Sequence, residues 1–403
     1  MSLALLYLWI LVISFGPAYN LIGDYGLILV LFIYVILNRK ISIKRNVIFS
    51  AILFMIFIGI KAIGMNSSQA ISVYHSAYAV VLGIIKLVAL FMLLPDLYSI
   101  DISKREKMVN CFLFCFHISV VIGLVMLFIH GRNTYRDNAE IGGYILTPQF
   151  FVTLSVFMIM ALIYISIKQK RNSFYIVLII LDFLYIFMSN YTTQMLFALF
   201  GSALVLVGCT NMKKQKKTLF IVLIMVLLLV SVPALPELIR WLNNIFFANN
   251  STVSTRLYEI EILLRRGDVA GTDLMGRVDR VGISINTFKK NIAFGVPFSA
   301  YNTTSTGLIV GGHSEWPDDL ARYGIFGCIL FIYLIYNGIK KILNWENGKI
   351  IDLKTTFILV IAAYGFANPI IRSQELELLY LIVLFVDTYV IGNEEIILNE
   401  RIE

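Results

Sequence analysis

Charged side chains are scarce in this chain of 403 residues: Asp, Glu, Lys and Arg make up 14% of it, against about 25% in an ordinary soluble domain. With 59% hydrophobic residues and a mean hydropathy of +0.83, that shortage excludes a soluble globular protein. Cysteine and histidine are scarce too, with four of each. Cys111, Cys115, Cys209 and Cys328 all fall in apolar runs without metal-ligand spacing, and Cys111 and Cys115, one helical turn apart, read as packing residues rather than a disulfide. The histidines and carboxylates are too scattered for ligand spacing, so no metal is expected. Heptads, low-complexity tracts, usable repeats and a separate soluble domain are all missing. The run from Leu3 to Ser14 has no basic flank before it and no small-residue cleavage site, so it reads as a retained helix rather than a signal peptide.

What is present is a series of apolar runs, many of roughly 17–23 residues, the length that crosses a bilayer as helix. Counting them predicts an all-α polytopic membrane protein with about twelve spans: 3–19, 23–38, 47–64, 74–95, 108–130, 148–167, 174–189, 195–210, 218–233, 324–338, 355–371 and 378–392. Every even-numbered connection is basic: Arg39, Lys40, Lys44 and Arg45 follow span two, and Lys213, Lys214, Lys216 and Lys217 follow span eight. The odd-numbered short connections hold little beyond Arg132, Arg136 and Arg372. The positive-inside rule then puts both termini in the cytoplasm. It also accounts for the net charge of +8 without nucleic acid. Three parts follow: helices one to nine (1–233), one large extracytoplasmic loop (234–323), and helices ten to twelve with a cytoplasmic tail (324–403).

Ionisable residues inside spans invite a functional reading. Lys61 lies near a span end, where snorkelling is a sufficient account. Lys86, His117 and Asp182 are deeper and either line a cavity or pair within the bundle, pairing being the commoner outcome. The outer loop carries nine Arg and Lys residues. Leu238, Trp241, Leu242 and Ile245 form one apolar helical face in it, and Val278, Val281, Ile285, Phe288 and Ile292 form another, so the loop is expected to lie against the membrane. Arg132 and Arg136 on one outer connection join Arg256, Arg265, Arg266, Arg277, Arg280 and Arg322 in the loop. Guanidinium groups clamp diphosphate oxygens well; from charge alone, a basic face touching anionic lipid explains them equally.

His313 weighs in favour of chemistry. It is the only histidine of the loop, follows Gly311 and Gly312, and precedes Ser314, Glu315, Asp318 and Asp319. Glycines let the backbone place a side chain tightly, nearby acids can orient an imidazole, and imidazole suits general-base work near neutral pH. His75 and His130, at outer span ends, have no such surroundings.

His313-Ser314, nine further residues, then Gly324-Ile325-Phe326-Gly327 resembles the signature of the O-antigen ligase and polymerase superfamily. Asn291-Ile292-Ala293-Phe294-Gly295-Val296-Pro297 resembles that family's Phe-Gly-Val-Gly turn, with Pro297 in place of the last glycine, and Ser254-Thr255-Arg256-Leu257-Tyr258 resembles the arginine that opens the loop's first helix. The connection Ser189–Gln194 lacks an arginine the family often carries there; either Arg132 or Arg136 supplies that charge or the site uses fewer arginines. The resemblance implies a GT-C-like architecture and a metal-independent glycosyltransferase without cofactor in the bacterial inner membrane. It would transfer glycan from undecaprenyl diphosphate to a sugar hydroxyl, building O-antigen or capsule. On that reading His313 is the general base, Arg256, Arg136, Arg322 and Arg280 bind diphosphate, and Asp319 and Glu315 support them. The expected partners are the lipid-linked oligosaccharide, the bilayer, a flippase and a chain-length regulator. Polymerase is preferred to ligase because polymerases are the more diverse in sequence. The rival class is a lipid-linked oligosaccharide flippase, which would show repeats or interrupted helices.

Overall fold

The computed structural model describes residues 2–37, 45–63, 77–130, 148–168, 173–189, 191–209, 235–247, 251–266, 273–298, 310–312, 314–343, 351–368 and 373–399. All regular structure among them is helical. The order is α1 (Ser2–Ser14), α2 (Gly16–Leu37), α3 (Arg45–Lys61), α4 (Ala77–Ser99), α5 (Ile102–His130), α6 (Pro148–Lys168), α7 (Ser173–Met188) and α8 (Thr192–Cys209). After these come α9 (Leu235–Leu242), extended by a π-helical turn over Asn243–Phe247, then α10 (Ser251–Arg266), α11 (Asp273–Lys290), α12 (Glu315–Leu343), α13 (Ile351–Ala367) and α14 (Ser373–Asn399).

The bundle is built around α6. Phe151 through Leu162 are all buried, because α7, α8, α13 and α14 pack on different sides of it. A helix apolar all round suits only such a central place. Outer helices expose their apolar residues instead. Phe49, Ile52, Ile56 and Ile60 of α3 are exposed and lie three or four residues apart, hence on one face. Such a face suits hydrocarbon rather than water.

The first run is not one straight helix: Leu3–Ser14 and Gly16–Gly23 meet at 101°. Pro17 starts the second helix, where its missing N–H costs nothing, and Gly23 breaks it again at φ 66°. Ser119 of α5 closes the first break, donating its hydroxyl to Ser14 O (3.1 Å) and accepting from Gly16 N–H (3.0 Å). The interrupted helix that the sequence did not clearly show is therefore present here. By length and composition four described helices can cross a membrane, five if the bent pair is one span. Others are short: α7 has 16 residues, about 24 Å of helix against about 30 Å of hydrocarbon. Span nine, 218–233, lies outside the described residues.

His117 and Asp182, two of the ionisable residues inside the bundle, are paired. His117 Nε2 faces Asp182 Oδ2 at 3.3 Å, His117 Nδ1 donates to Leu113 O (2.8 Å), and Ser155 donates to Asp182 Oδ1 (3.1 Å). One network thus ties α5, α6 and α7 together, answering the choice between cavity and pairing for His117 and Asp182. Lys86 is buried as well, and all four cysteines are free. Removing one partner of a buried hydrogen-bonded pair leaves the other unsatisfied at a cost of about 1–3 kcal/mol, whereas apolar replacement of both is close to neutral. Asp182→Leu is therefore expected to lower the melting temperature in detergent sharply, and His117→Phe added to it to recover most of the loss. Equal melting of the single variant and wild type would contradict this pairing.

Candidate active site

Two of the segments that resembled family motifs dock on each other through their backbones. After α11 the chain turns through Asn291–Phe298, where Gly295 has φ 63°; α12 is interrupted at Gly324 with φ 62°. Val296 N–H donates to Ala321 O (3.0 Å), Ile325 N–H to Ile292 O (2.9 Å), and Phe326 N–H to Ala293 O (3.0 Å). The approach is so close that a Cβ on Gly295 would lie 2.4 Å from Arg322 O, and one on Gly324 would lie 2.5 Å from Ala293 O. Glycine is needed at both positions for space and for left-handed backbone. Rings seal the flank: Phe294 packs on Phe326 (5.6 Å) and Phe326 on Phe57 of α3 (5.8 Å).

The break at Gly324 divides α12 into a preface, Glu315–Tyr323, and the apolar helix beyond. Trp316 fixes the preface to α13 by donating Nε1–H to Ala362 O (2.7 Å). A chain of hydrogen bonds then straddles position 313. Gly311 N–H donates to Ser284 Oγ (2.8 Å), Ser284 donates to Asp318 Oδ1, and Asp318 Oδ2 accepts Ser314 N–H (3.2 Å). Asp318 reaching back to the residue before the helix works as a capping box does. The turn also passes directly over α11, since a Cβ on Gly311 would lie 2.2 Å from Arg280 O.

Of the expected site residues, the structure brings Arg280, Glu315, Asp319 and Arg322 to this junction. Arg280 is exposed on α11. Arg322 is buried and faces Asp318 (3.8 Å) and Asp319 (3.6 Å), four and three residues back on its own helix. Its charge is thus met within the preface. His313 and Arg136 lie outside the described residues, as do Arg132 and His75; of Arg256, only the backbone, within α10, is described. Elsewhere in the loop, Arg240 holds α9 to α10 through Glu261 (2.6 Å). The apolar face predicted on α11 is left uncovered by protein at Val278, Ile285 and Ile292, and Trp241 and Ile245 beside α9 are exposed too. Among the described residues no group of His, Cys, Asp and Glu could hold a metal ion.

Two residues of the junction escaped the sequence reading. Ser284 is fully buried; its signal was its place on the apolar stripe of α11, between Val281 and Phe288. Lys61, assigned to snorkelling, instead donates to Phe294 O (2.7 Å) and Val296 O (2.6 Å) on either side of Gly295. No spacing links positions 61 and 295.

Residues 174–332 match the family described as O-antigen ligase. No curated protein and no solved structure matches the chain. The matched stretch runs from α7 through the docked turn to the helix beyond the Gly324 break, and it includes Arg256, Arg280, His313, Glu315, Asp319 and Arg322 but not Arg136. In this segment the chain is similar to the O-antigen ligase and polymerase superfamily of membrane enzymes.

Proposed function

We propose that this protein is a polysaccharide polymerase of the bacterial inner membrane, with about twelve spans, a GT-C-like arrangement and both termini in the cytoplasm. It takes glycan from undecaprenyl diphosphate and adds it to a second lipid-linked repeat unit, building O-antigen or capsule without a metal. The observation that carries this reading is the junction itself: the residues flanking position 313 are pinned to α11 and α12 by backbone hydrogen bonds, directly over Arg280. Such anchoring suits a side chain that must meet its substrate in one geometry.

In the proposed step an acceptor hydroxyl oxygen bonds to the anomeric carbon of the donor. The bond from that carbon to the diphosphate oxygen breaks, and the diphosphate leaves with the electron pair. His313 takes the hydroxyl proton. Arg280, Arg256 and Arg136 meet the charge that develops on the leaving group, where fixed guanidiniums act most strongly. Arg322, already matched by Asp318 and Asp319, contributes less to the diphosphate and more to the shape of the preface; Asp319 and Glu315 support it there. In the cell, a flippase that delivers the repeat unit and a regulator of chain length are the partners that fit this reaction.

The reaction class is shared with the ligase, which attaches a finished chain to the lipid A core, and a cell assay separates the two. Deletion of the gene is expected to leave single repeat units attached to their acceptor. Complete loss of attached glycan would instead identify the ligase. The bent pair Leu3–Gly23 is a feature a transporter would use, but it lies outside the matched segment.

A further inference from the structure

Lys61 ends α3, a helix otherwise given to lipid and core contacts, and is only 8% exposed. A lysine at a span end ordinarily carries its ammonium to water. Here the ammonium is turned under the loop, against the carbonyl oxygens of Phe294 (2.7 Å) and Val296 (2.6 Å), with its charge over the Phe57 ring (5.5 Å). Among the described residues no carboxylate pairs with it. Burying a cation is costly unless its donors are taken, and both oxygens that take them belong to the turn that docks on the α12 break.

The consequence is geometric. The Gly295 turn is held by α12 from one side, through Val296 N–H to Ala321 O, and by Lys61 from the other, through two charge-assisted bonds. The same turn ends α11, which carries Arg280 and Ser284. We propose that Lys61 is a positioning residue for the transfer reaction: it clamps the Gly295 turn between α3 and α12, and so sets α11 in register with the α12 preface. The effect on turnover rests on the polymerase reading above, whereas the clamp does not.

The test uses the full chain in lipid nanodiscs and three forms: wild type, Lys61→Met, which keeps the apolar stem but has no donor, and Lys61→Arg, which keeps donors and charge. Amide hydrogen exchange is followed in peptides covering 291–298 and, as a control for global folding, in α6. Polymer formation from lipid-linked repeat units is measured alongside. Lys61→Met is expected to speed exchange in 291–298 by about tenfold or more, the scale of a lost charged hydrogen bond, with α6 unchanged. It is expected to lower kcat by about the same factor with little change in KM, and Lys61→Arg to restore most of both. Unchanged exchange in 291–298 would overturn the clamp, as would equal acceleration in α6. Accelerated exchange with wild-type turnover would overturn the positioning role. Absence of polymer from wild type would remove the polymerase reading alone, leaving the exchange arm to decide the clamp.

Discussion

His313→Ala is expected to leave the protein in the membrane at its normal level while polymer formation falls by about 10²–10⁴-fold, the usual contribution of a positioned general base. Both halves of this expectation follow from the junction. The hydrogen bonds that hold the turn come from the backbone N–H groups of Gly311 and Ser314, received by Ser284 and Asp318; none needs the side chain at 313. On the proposed reading, removing the imidazole therefore takes away the base without releasing the scaffold. Immunoblots of membranes beside a ladder of attached glycan lengths read both quantities at once. Normal polymer length and amount at equal protein level would remove His313 from the mechanism.

The second large effect is structural. Gly324→Ala and Gly295→Ala each place a side chain on backbone of positive φ, at about 1–3 kcal/mol from conformation alone. Each also drives the new Cβ into a backbone carbonyl, Ala293 O in one case and Arg322 O in the other. Backbone cannot rotate out of the way as a side chain can, so the hydrogen bonds from Val296, Ile325 and Phe326 across the junction are expected to break. Gly276→Ala and Gly282→Ala on α11 serve as controls. Nothing lies within 4 Å of a Cβ at either position, and alanine in a helix interior is favoured over glycine by about 1 kcal/mol. In detergent melts the first pair should be clearly destabilised and inactive, the second pair unchanged or slightly more stable. Similar melting of Gly324→Ala and Gly276→Ala would show that the two motifs do not depend on their contact.

These cases show what was legible in the sequence and what was not. The helices were readable from apolar runs, since burial in protein and burial in lipid demand the same composition; α6, α7 and α8 fall within a few residues of the predicted spans. The bend at Leu3–Gly23 was missed although Gly16-Pro17 marks a break; what no spacing shows is that the capping hydroxyl comes from Ser119, about a hundred residues away. The candidate site was half legible. Glycines at 295 and 324 stood in recognisable motifs, but that the two motifs touch is a tertiary fact. Asp318 holds the Ser284 hydroxyl and the Ser314 N–H, contacts that depend on α11 and α12 coming together. Lys61 had a sufficient local explanation in snorkelling, and only the fold brings Phe294 and Val296 within its reach.

The central claim, transfer between two lipid-linked repeat units at the loop-to-membrane junction, is tested most directly with purified protein in liposomes supplied only with undecaprenyl-diphosphate-linked repeat units. Products longer than one repeat, with undecaprenyl diphosphate released in step and neither formed by His313→Ala, are the predicted result. Repeat units that stay single with no diphosphate released, or that only cross the bilayer, would contradict it.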